Sequence, residues 1–425
     1  MTQPQEHTGS YYAASVNEPT DYAPLCGAQN ADVCVIGAGF TGISTALHLA
    51  ERGYKVHVVE ANRVGWGATG RNGGQIIDGI SGQEQIARHL GRDGERIMWE
   101  MGWAGHDIIR ERIATYDIDC DLKWGYLEVA IKQRHVRAQH EKLEKLEKHN
   151  FPHEYKLLSR EDTISTIGTE AYIGALMYKG NGHLHPLNLC IGEARAAVSR
   201  GATIYEQSPV LRIEKGDRPR VVTGQGSVTA DFVVIAGNAY HFIERKLRGN
   251  MFPVNSFIIA TEPLSEEQVN SINPKDLAVC DPNFVLQYFR LSADKRLLFG
   301  GRCNYSGTEA EVIKRMRIPK MLRIYPRLAG TKIDYAWGGT IGVPFNRVPQ
   351  LGRTSSNVFY SQGYSGHGVN VTHLAGQIMA DTVVGTFERF DVFANIKPTV
   401  VPGAHIFRNQ MVALGMLYYQ IKDRL

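Results

Sequence analysis

Residues 32–75, DVCVIGAGFTGISTALHLAERGYKVHVVEANRVGWGATGRNGGQ, decide the fold of this 425-residue chain. The stretch opens with Val33–Ile36, an apolar run rich in β-branched residues that is typical of a buried parallel strand. Gly37, Gly39 and Gly42 follow at the G-x-G-x-x-G spacing, and helical apolar spacing continues after them. A strand, a glycine turn and a helix in this order predict a unit that binds a dinucleotide.

Each glycine of this turn has its own mechanical role. Gly37 permits the tight turn off the strand, Gly39 leaves room for a pyrophosphate, and Gly42 lets the helix pack closely on the strand. Phe40 and Thr41 open the helix, where unpaired N–H groups and the helix dipole favour an anionic group. We therefore predict that all five residues belong to the cofactor-binding site, with the pyrophosphate at the start of this helix.

A second strand, Lys55–Val59, ends at Glu60, about 20 residues beyond the glycines. A carboxylate at this place accepts hydrogen bonds from a ribose diol and disfavours a 2′-phosphate. Ala61 and Arg63 follow directly and are predicted to contact the same ligand. Because all these elements occur together, a glycine-rich turn without function is the minor alternative.

The segment after Glu60 distinguishes FAD from NAD. Residues 64–75, VGWGATGRNGGQ, are too rich in glycine and too polar for the crossover helix of an NAD unit, so they predict a loop laid against a flavin. The alternative is a flexible solvent loop, which would not need to cluster its glycines around one arginine. The predicted FAD contacts in this loop are Gly67, Ala68, Thr69, Arg71, Asn72, Gly73, Gly74 and Gln75.

These motifs resemble the D-amino-acid oxidase-like family of amine-oxidising flavoproteins. The resemblance implies two further cofactor segments. In the first, DFVVIAGNA at 231–239, it assigns FAD contacts to Ala236 and Gly237, and it places Val210 near the adenine. In the second, GYSGHGV opens a helix whose N-terminus stabilises the negative charge of a reduced flavin. The contacts implied there are Gly363, Tyr364, Gly366, His367, Gly368 and Val369.

The fold that follows is α/β, a Rossmann-type FAD-binding domain interleaved with a mostly antiparallel α+β substrate domain. An N-terminal arm spans 1–30 and a C-terminal segment spans 386–425. The FAD-binding domain takes 31–85, 185–245 and 335–385, and the substrate domain takes 86–184 and 246–334.

Composition excludes several classes of protein. With 43% hydrophobic and 21% charged residues, the chain has the composition of an ordinary globular protein. Its 47 basic and 43 acidic residues leave a net charge of +4, which does not favour a nucleic-acid partner. Residues 1–24 lack the apolar core of a signal peptide, and no run approaches the ~20 apolar residues of a membrane span. We therefore expect a cytoplasmic protein without a membrane span.

The six cysteines are spread along the chain without a C-x-x-C motif, so neither a disulfide framework nor a metal site is predicted. In related sarcosine oxidases a cysteine after the strand preceding the last motif holds the flavin. Here that region reads Trp337, Gly338 and Gly339, so FAD is expected to bind noncovalently. Cys303 lies earlier and is assigned to packing.

Five segments resemble the γ-glutamylputrescine oxidase branch of the family. They are HTGSYYAASVN, GATGRNGGQ, GHLHPLNL, KIDYAWGG and GYSGHGV. The resemblance implies oxidation of a small-molecule amine, γ-glutamylputrescine or a related polyamine, with hydride transfer to flavin N5. Hydrolysis of the imine then yields an aldehyde and ammonia, and O2 or another acceptor reoxidises the flavin. Two alternatives stay open, an amino-acid or N-methylamino-acid oxidase or dehydrogenase, and a flavin redox sensor without turnover.

The sequence offers four candidates for catalytic side chains and no motif that singles one out. Tyr288 and Trp337 either form the wall of the amine cavity or belong to the core. Lys246 lies near the place where relatives carry an oxygen-activating lysine, or is a surface lysine. The side chain of His367 is either a flavin contact or structural.

Overall fold

The computed structural model describes residues 4–240, 243–247, 249–283, 286–302, 309–399 and 422–423. Its strands are β1 (Gly27–Ile36), β2 (Val56–Val59), β3 (Gln75–Ile76), β4 (Lys123–Ala130), β5 (Tyr155–Leu158), β6 (Gly174–His183), β7 (Thr203–Tyr205), β8 (Arg212–Glu214), β9 (Arg220–Val222), β10 (Gly226–Ile235), β11 (Met251–Thr261), β12 (Ala278–Cys280), β13 (Gln287–Leu291), β14 (Leu297–Arg302), β15 (Ile333–Pro344), β16 (Gln350–Ser355) and β17 (Val358–Gln362). Its α-helices are α1 (Tyr11–Ala14), α2 (Phe40–Glu51), α3 (Gln83–Leu90), α4 (Gly94–Tyr116), α5 (Gln133–Lys148), α6 (Arg160–Ile167), α7 (Pro186–Ser199), α8 (Glu266–Ile272), α9 (Ala310–Ile324), α10 (Gly368–Val383) and α11 (Glu388–Ala394).

Sheet 1 contains the predicted nucleotide-binding strands. Its order is β16-β17-β10-β1-β2-β7, with β9 on β10 and β8 on β9, and the run from β17 to β7 is parallel. Val33 and Val35 pack in the cluster that contains α2 and α10, whereas Cys34 and Ile36 pack in a second cluster with Val228. Both faces of the second half of β1 are therefore buried, which explains the apolar run Val33–Ile36.

Sheet 2 has the order β15-β11-β14-β13-β12-β4-β6-β3, with β5 on β6. The pairings within it are antiparallel except for β12 with β4. Phe257, Phe289 and Phe299 pack in one cluster with Met321 of α9. The two sheets confirm the predicted α/β fold with a mostly antiparallel second part.

The chain passes between the sheets several times, as an interleaved arrangement requires. Two strands that the predicted boundaries assign to the FAD-binding domain lie in sheet 2: β3 pairs with β6, and β15 pairs with β11. The strand register thus places residues 335–344 with the second sheet, and the division into domains stays a prediction elsewhere. No helix in the described ranges is long and apolar enough to cross a membrane.

Helices α2 and α10 pack side by side and begin at the same cavity. A Cβ on Gly376 of α10 would lie 2.4 Å from the Ser44 side chain, so the two helices are in close contact. The Tyr364 hydroxyl connects the start of α2 with the end of β17, because it lies 2.8 Å from Oγ1 of Thr41 and 2.8 Å from Oγ of Ser361. The first residues of both helices line the cavity. Two helix N-termini therefore contribute their positive dipole ends to one site.

Candidate active site

A cavity of about 910 Å³ lies between the two sheets. Sheet 1 contributes Ile36, Val59 and Ala236 from the carboxyl ends of its parallel strands, and sheet 2 contributes Ser256 and Tyr288. Ligands of open parallel sheets bind at this edge, and the volume is at the upper end of the usual ~300–1,000 Å³. The cavity therefore has room for a large cofactor.

Two of the three glycines of the first turn, Gly37 and Gly39, line the cavity. Gly37 has φ +105°, and a Cβ there would lie 3.0 Å from the Ala236 carbonyl oxygen. Gly39 lines the cavity with Phe40 and Thr41. Gly42 does not line it, and a Cβ on Gly42 would lie 1.8 Å from the carbonyl oxygen of Gly37, so this glycine serves helix packing.

Glu60 lines the cavity at the end of β2, next to Ala61. Its carboxylate accepts hydrogen bonds from the Ala38 N–H at 2.7 Å and the Asn62 N–H at 2.9 Å. Burial raises the pKa of Glu60, and these two N–H groups act against that rise. Val210 lines the cavity as well, in the loop between β7 and β8.

Arg63 is not part of the cavity lining, so the contact predicted for it is not supported. Its guanidinium pairs with Glu6 at 2.9 Å, Asp21 at 3.0 Å and Glu206 at 3.0 Å. Because the Glu206 side chain is fully buried, it requires a partner of opposite charge. Arg63 satisfies that need and attaches the N-terminal arm, from which Gln5 reaches the cavity.

The flavin loop lies along the cavity, and Ala68–Arg71 form a 3₁₀ turn within it. The predicted residues that line the cavity are Gly67, Ala68, Thr69, Arg71, Asn72, Gly73 and Gln75. Gly74 is outside the lining. Its φ is +69° and a Cβ there would lie 2.2 Å from the Leu184 carbonyl oxygen, so the fold requires glycine at this position. The Arg71 guanidinium lies 4.2 Å from the ring centroid of Trp66, and its Nε donates to the Trp66 carbonyl at 2.8 Å.

The two later cofactor segments meet at the same cavity. Ala236, Gly237, Tyr364, Gly366, Gly368 and Val369 line it. Gly363 and His367 do not. Gly363 has φ +80° in the turn before α10, and His367 is the N-cap residue of that helix. These two residues shape the turn, and a side-chain contact of His367 with FAD is not supported.

Tyr288 is the one residue among the four catalytic candidates that lines the cavity. Its ring lies between two glycines, because a Cβ on Gly73 or Gly300 would lie 2.4 Å or 2.2 Å from the ring. Its hydroxyl lies 3.2 Å from Oγ of Ser256, and burial raises the pKa of Tyr288 to about 12. The phenol is therefore neutral and held in one place.

Two other candidates lie outside the cavity. Trp337 is 1% exposed and donates from Nε1 to the Arg71 carbonyl at 3.1 Å, so it is a core residue that supports the flavin loop. Lys246 is exposed in a short 3₁₀ turn. Cys303 lies outside the described residues.

Several lining residues were not found from the sequence. They include Gln5, Trp66, Asn238, Tyr240, Ser256, Cys280, Ile341 and Thr372. Tyr240 had a usable signal, since it follows the predicted turn at Gly237 by three residues. Its hydroxyl accepts from the Thr340 N–H at 3.0 Å and thereby joins that turn to β15. Ser256 and Cys280 had no such signal in the sequence, because only strand pairing brings them to the cavity.

These residues fit FAD. At Gly37 a Cβ would press on the backbone of the neighbouring turn, Gly39 leaves the cavity open beside the start of α2, and α10 supplies a second helix N-terminus. A parallel sheet edge closed by a second, antiparallel sheet around such a cradle defines the class of FAD-binding oxidoreductases.

Comparison with known proteins agrees. A family model described as FAD dependent oxidoreductase matches residues 32–382, and the chain belongs to this family. Gamma-glutamylputrescine oxidoreductase of Escherichia coli is 43% identical over 99% of both chains. A probable oxidoreductase OrdL of Haemophilus influenzae is 42% identical over 99% of this chain and 98% of its own. The L-amino acid deaminase structure of Proteus myxofaciens shares the fold, with a TM-score of 0.71 at 17% identity, covering 91% of this chain and 95% of its own.

The protein is thus an FAD-binding oxidoreductase, and its relatives include a gamma-glutamylputrescine oxidoreductase and a glycine oxidase. This confirms the predicted family, cofactor and enzyme class. The roles assigned to individual site residues stay predictions.

Proposed function

We propose that the protein oxidises the terminal primary amine of γ-glutamylputrescine or a closely related acylated polyamine. The overall reaction is R–CH2–NH2 + O2 + H2O → R–CHO + NH3 + H2O2. The observation that carries the proposal is the arrangement of sheet 2, which places a neutral phenol in the cavity and a charged cluster two strands away. The full-length similarity to a γ-glutamylputrescine oxidoreductase supports the same substrate.

The reacting end of the substrate is assigned to the part of the cavity beside Tyr288. When bound, FAD supplies the acceptor for the hydride equivalent that leaves the carbon next to nitrogen. That transfer requires a neutral amine. A cavity walled by Ile77, Leu286 and Ile341 favours the neutral form, because burial disfavours a charged ammonium. The neutral Tyr288 hydroxyl then offers one hydrogen bond that orients the amine.

We assign the other end to the head-group cluster, defined as Asp78, Glu128 and Lys142, which lies outside the cavity lining and begins directly after Ile77 of the cavity wall. Nζ of Lys142 lies 3.3 Å from Asp78 and 3.2 Å from Glu128. Burial acts to raise the pKa of Asp78, but the charge of Lys142 and other contacts lower it, so the carboxyl stays ionised. Two carboxylates and one ammonium leave one negative charge, which favours a cationic partner.

The head-group cluster has spare hydrogen-bonding capacity of the right kind. Lys142 uses its third donor on the Tyr178 hydroxyl at 2.7 Å, so it has none left for a ligand. Oδ1 of Asp78 accepts from Lys142, Tyr178 and Asn181. Among the described residues, no donor is bonded to Oδ2 of Asp78 or to Oε1 of Glu128. Both oxygens suit the α-ammonium of a γ-glutamyl group.

The strand pairing gives the distance between the two ends. Tyr288 and Cys280 are paired across β13 and β12, and Cys280 is paired with Glu128 across β12 and β4. Two strand spacings of ~4.8 Å separate Tyr288 from Glu128 by ~10 Å. Nine bonds join the terminal amine of γ-glutamylputrescine to its α-carbon, a reach of ~10–11 Å at the ~1.2 Å per bond of an extended chain. Free putrescine is too short to fill both ends.

A substrate panel tests the reaction. We expect kcat/KM under air, read out as peroxide, to be highest for γ-glutamylputrescine, lower for N-acetylputrescine and spermidine, and lowest for putrescine and sarcosine. Sarcosine or a free amino acid as the best substrate by tenfold or more would overturn the proposal. The amine is also added to the yellow protein without oxygen. Bleaching indicates an enzyme, even if it uses an acceptor other than O2, whereas no bleaching indicates a flavin sensor that does not turn over the amine.

A charge variant tests the head-group cluster. Glu128→Gln is expected to lower kcat/KM for γ-glutamylputrescine about tenfold, the lower end of the ~1.5–3 kcal/mol of a charge-assisted hydrogen bond, because Glu128 is partly exposed. N-acetylputrescine carries no charge there and should be unaffected. The matched control is Glu144→Gln on the exposed face of α5. Equal losses with both substrates would contradict recognition by this cluster.

Putrescine breakdown in the cytoplasm is the cellular role proposed with this activity. The runner-up is an amino-acid or N-methylamino-acid oxidase or dehydrogenase, and the same panel distinguishes it.

A further inference from the structure

Arg290 is a buried cation on β13, 2% exposed. Its guanidinium makes four hydrogen bonds. It donates from Nε to the Gly73 carbonyl at 2.8 Å, from Nη1 to the Leu291 carbonyl at 2.9 Å, and from Nη2 to the Leu184 carbonyl at 2.8 Å and the Tyr12 hydroxyl at 3.1 Å.

None of these four partners carries a charge. Within the described ranges, no carboxylate forms an ion pair with Arg290. The phenol of Tyr12 does not replace one, because burial raises its pKa and keeps it neutral. The positive charge of Arg290 also acts on the neighbouring His185. Burial, and then this charge, lower the pKa of His185 to about 3.

A buried charge without a counter-ion is unusual. Desolvation of an ion costs several kcal/mol, and buried charges in proteins are therefore paired or bound to a ligand. Hydrogen bonds to carbonyl groups satisfy the donors of Arg290 but leave its charge uncompensated. A negative charge in the adjoining cavity would compensate it.

Arg290 does not line the cavity, but it lies next to a part of the flavin loop that does. The Gly73 carbonyl that it holds belongs to a residue that lines the cavity. A Cβ on the next residue, Gly74, would lie 2.6 Å from Nη2, so the guanidinium lies directly behind the flavin loop. Tyr288, two residues before Arg290 on β13, lines the same cavity.

We propose that Arg290 is a positioning residue whose charge complements the negative charge that the ring of FAD gains on reduction. It thereby raises the midpoint potential of the bound cofactor, in addition to the dipole of α10. Oxidised FAD has a neutral ring, so the affinity for oxidised FAD depends on Arg290 much less than the potential does. This inference depends on FAD binding and not on the identity of the amine.

The test compares Arg290→Gln with Arg290→Lys in the FAD-loaded protein. The glutamine variant should lower the reduced-to-oxidised ratio at a given potential at least tenfold, a fall of about 30 mV for two electrons. Its dissociation constant for sulfite, which adds to the electron-poor oxidised ring, should rise at least tenfold. The lysine variant should stay within threefold of the wild type in both measurements, and the FAD affinity of both variants should change less than threefold.

A second route neutralises the charge without removing Arg290. Tyr12→Glu would place a carboxylate beside Nη2 and should lower the potential in the same direction, whereas Tyr12→Phe should leave it unchanged. An unchanged potential in a folded Arg290→Gln or Tyr12→Glu variant would overturn the proposal. Equal falls in the lysine and glutamine variants would also overturn it, because they would show a packing role.

Discussion

The two walls of the cavity are built from different parts of the chain. The wall from sheet 1 offers backbone to a ligand, through glycines such as Gly37 and Gly39 and the N-termini of α2 and α10, together with side chains such as Glu60. The wall from sheet 2 presents side chains, among them Tyr288, Ser256 and Cys280. A backbone wall suits a constant cofactor, whereas a side-chain wall can be changed one residue at a time to suit a substrate.

The largest effect expected from a substitution in the backbone wall, the wall from sheet 1, is loss of the cofactor. Gly39→Val should fold but purify without colour, because a Cβ there meets only the Thr69 hydroxyl, at 3.0 Å, and otherwise extends into the cavity. Flavin absorbance per polypeptide measures this. A yellow, fully loaded variant would contradict the assignment of the pyrophosphate site.

Two glycine controls sharpen that result. Gly42→Ala should lose folded protein altogether, since its Cβ would lie 1.8 Å from a backbone oxygen. Gly224→Val should retain both fold and colour, because nothing lies within 4 Å of a Cβ at Gly224.

The next largest effect is expected from removal of the Glu60 carboxylate, which is predicted to bind the ribose of FAD. Glu60→Ala should weaken FAD binding roughly tenfold to a hundredfold, from the ~1.5–3 kcal/mol of a charge-assisted hydrogen bond. Flavin fluorescence titration measures it. Glu60→Gln retains one acceptor oxygen and should lose less, and unchanged affinity in the alanine variant would reject the role.

The side-chain wall should respond in turnover and not in cofactor binding. Gly300→Ala displaces the Tyr288 ring, since its Cβ would lie 2.2 Å from that ring, and should lower kcat/KM about tenfold with FAD retained. In a Tyr288→Ala background, Gly300→Ala should lower kcat/KM little further, because the two residues act through one contact. Additive losses would show that Gly300 acts elsewhere.

The last prediction concerns the attachment of FAD, which we expect to form no covalent bond with either wall. Acid precipitation should release all the yellow colour into the supernatant, as no cysteine lies at the position that holds the flavin in related sarcosine oxidases. Flavin fluorescence retained on the washed precipitate would contradict noncovalent binding.

Residues predicted from local sequence patterns reach the cavity where local geometry determines their position. The β1 turn, the loop at 67–75 and the start of α10 all reach the cavity, because glycine spacing specifies where backbone can approach a ligand. The contact predicted for Arg63 is not supported, because the direction of its side chain depends on partners far away in the chain, such as the buried Glu206. Trp337 is a core residue and Lys246 is an exposed lysine, and both outcomes are among the alternatives given for them from the sequence.

The sequence by itself determined the nucleotide-binding unit and its cofactor, since strand, glycine turn, helix and Glu60 lie within one continuous stretch and interact locally. Tertiary structure alone decided the substrate side. Cys280 and Glu128 become neighbours only because β12 pairs with β4, and Arg290 lies behind Gly73 only because sheet 2 folds over the flavin loop. Contacts between residues more than a hundred positions apart depend on strand order, and no local pattern of residues specifies that order.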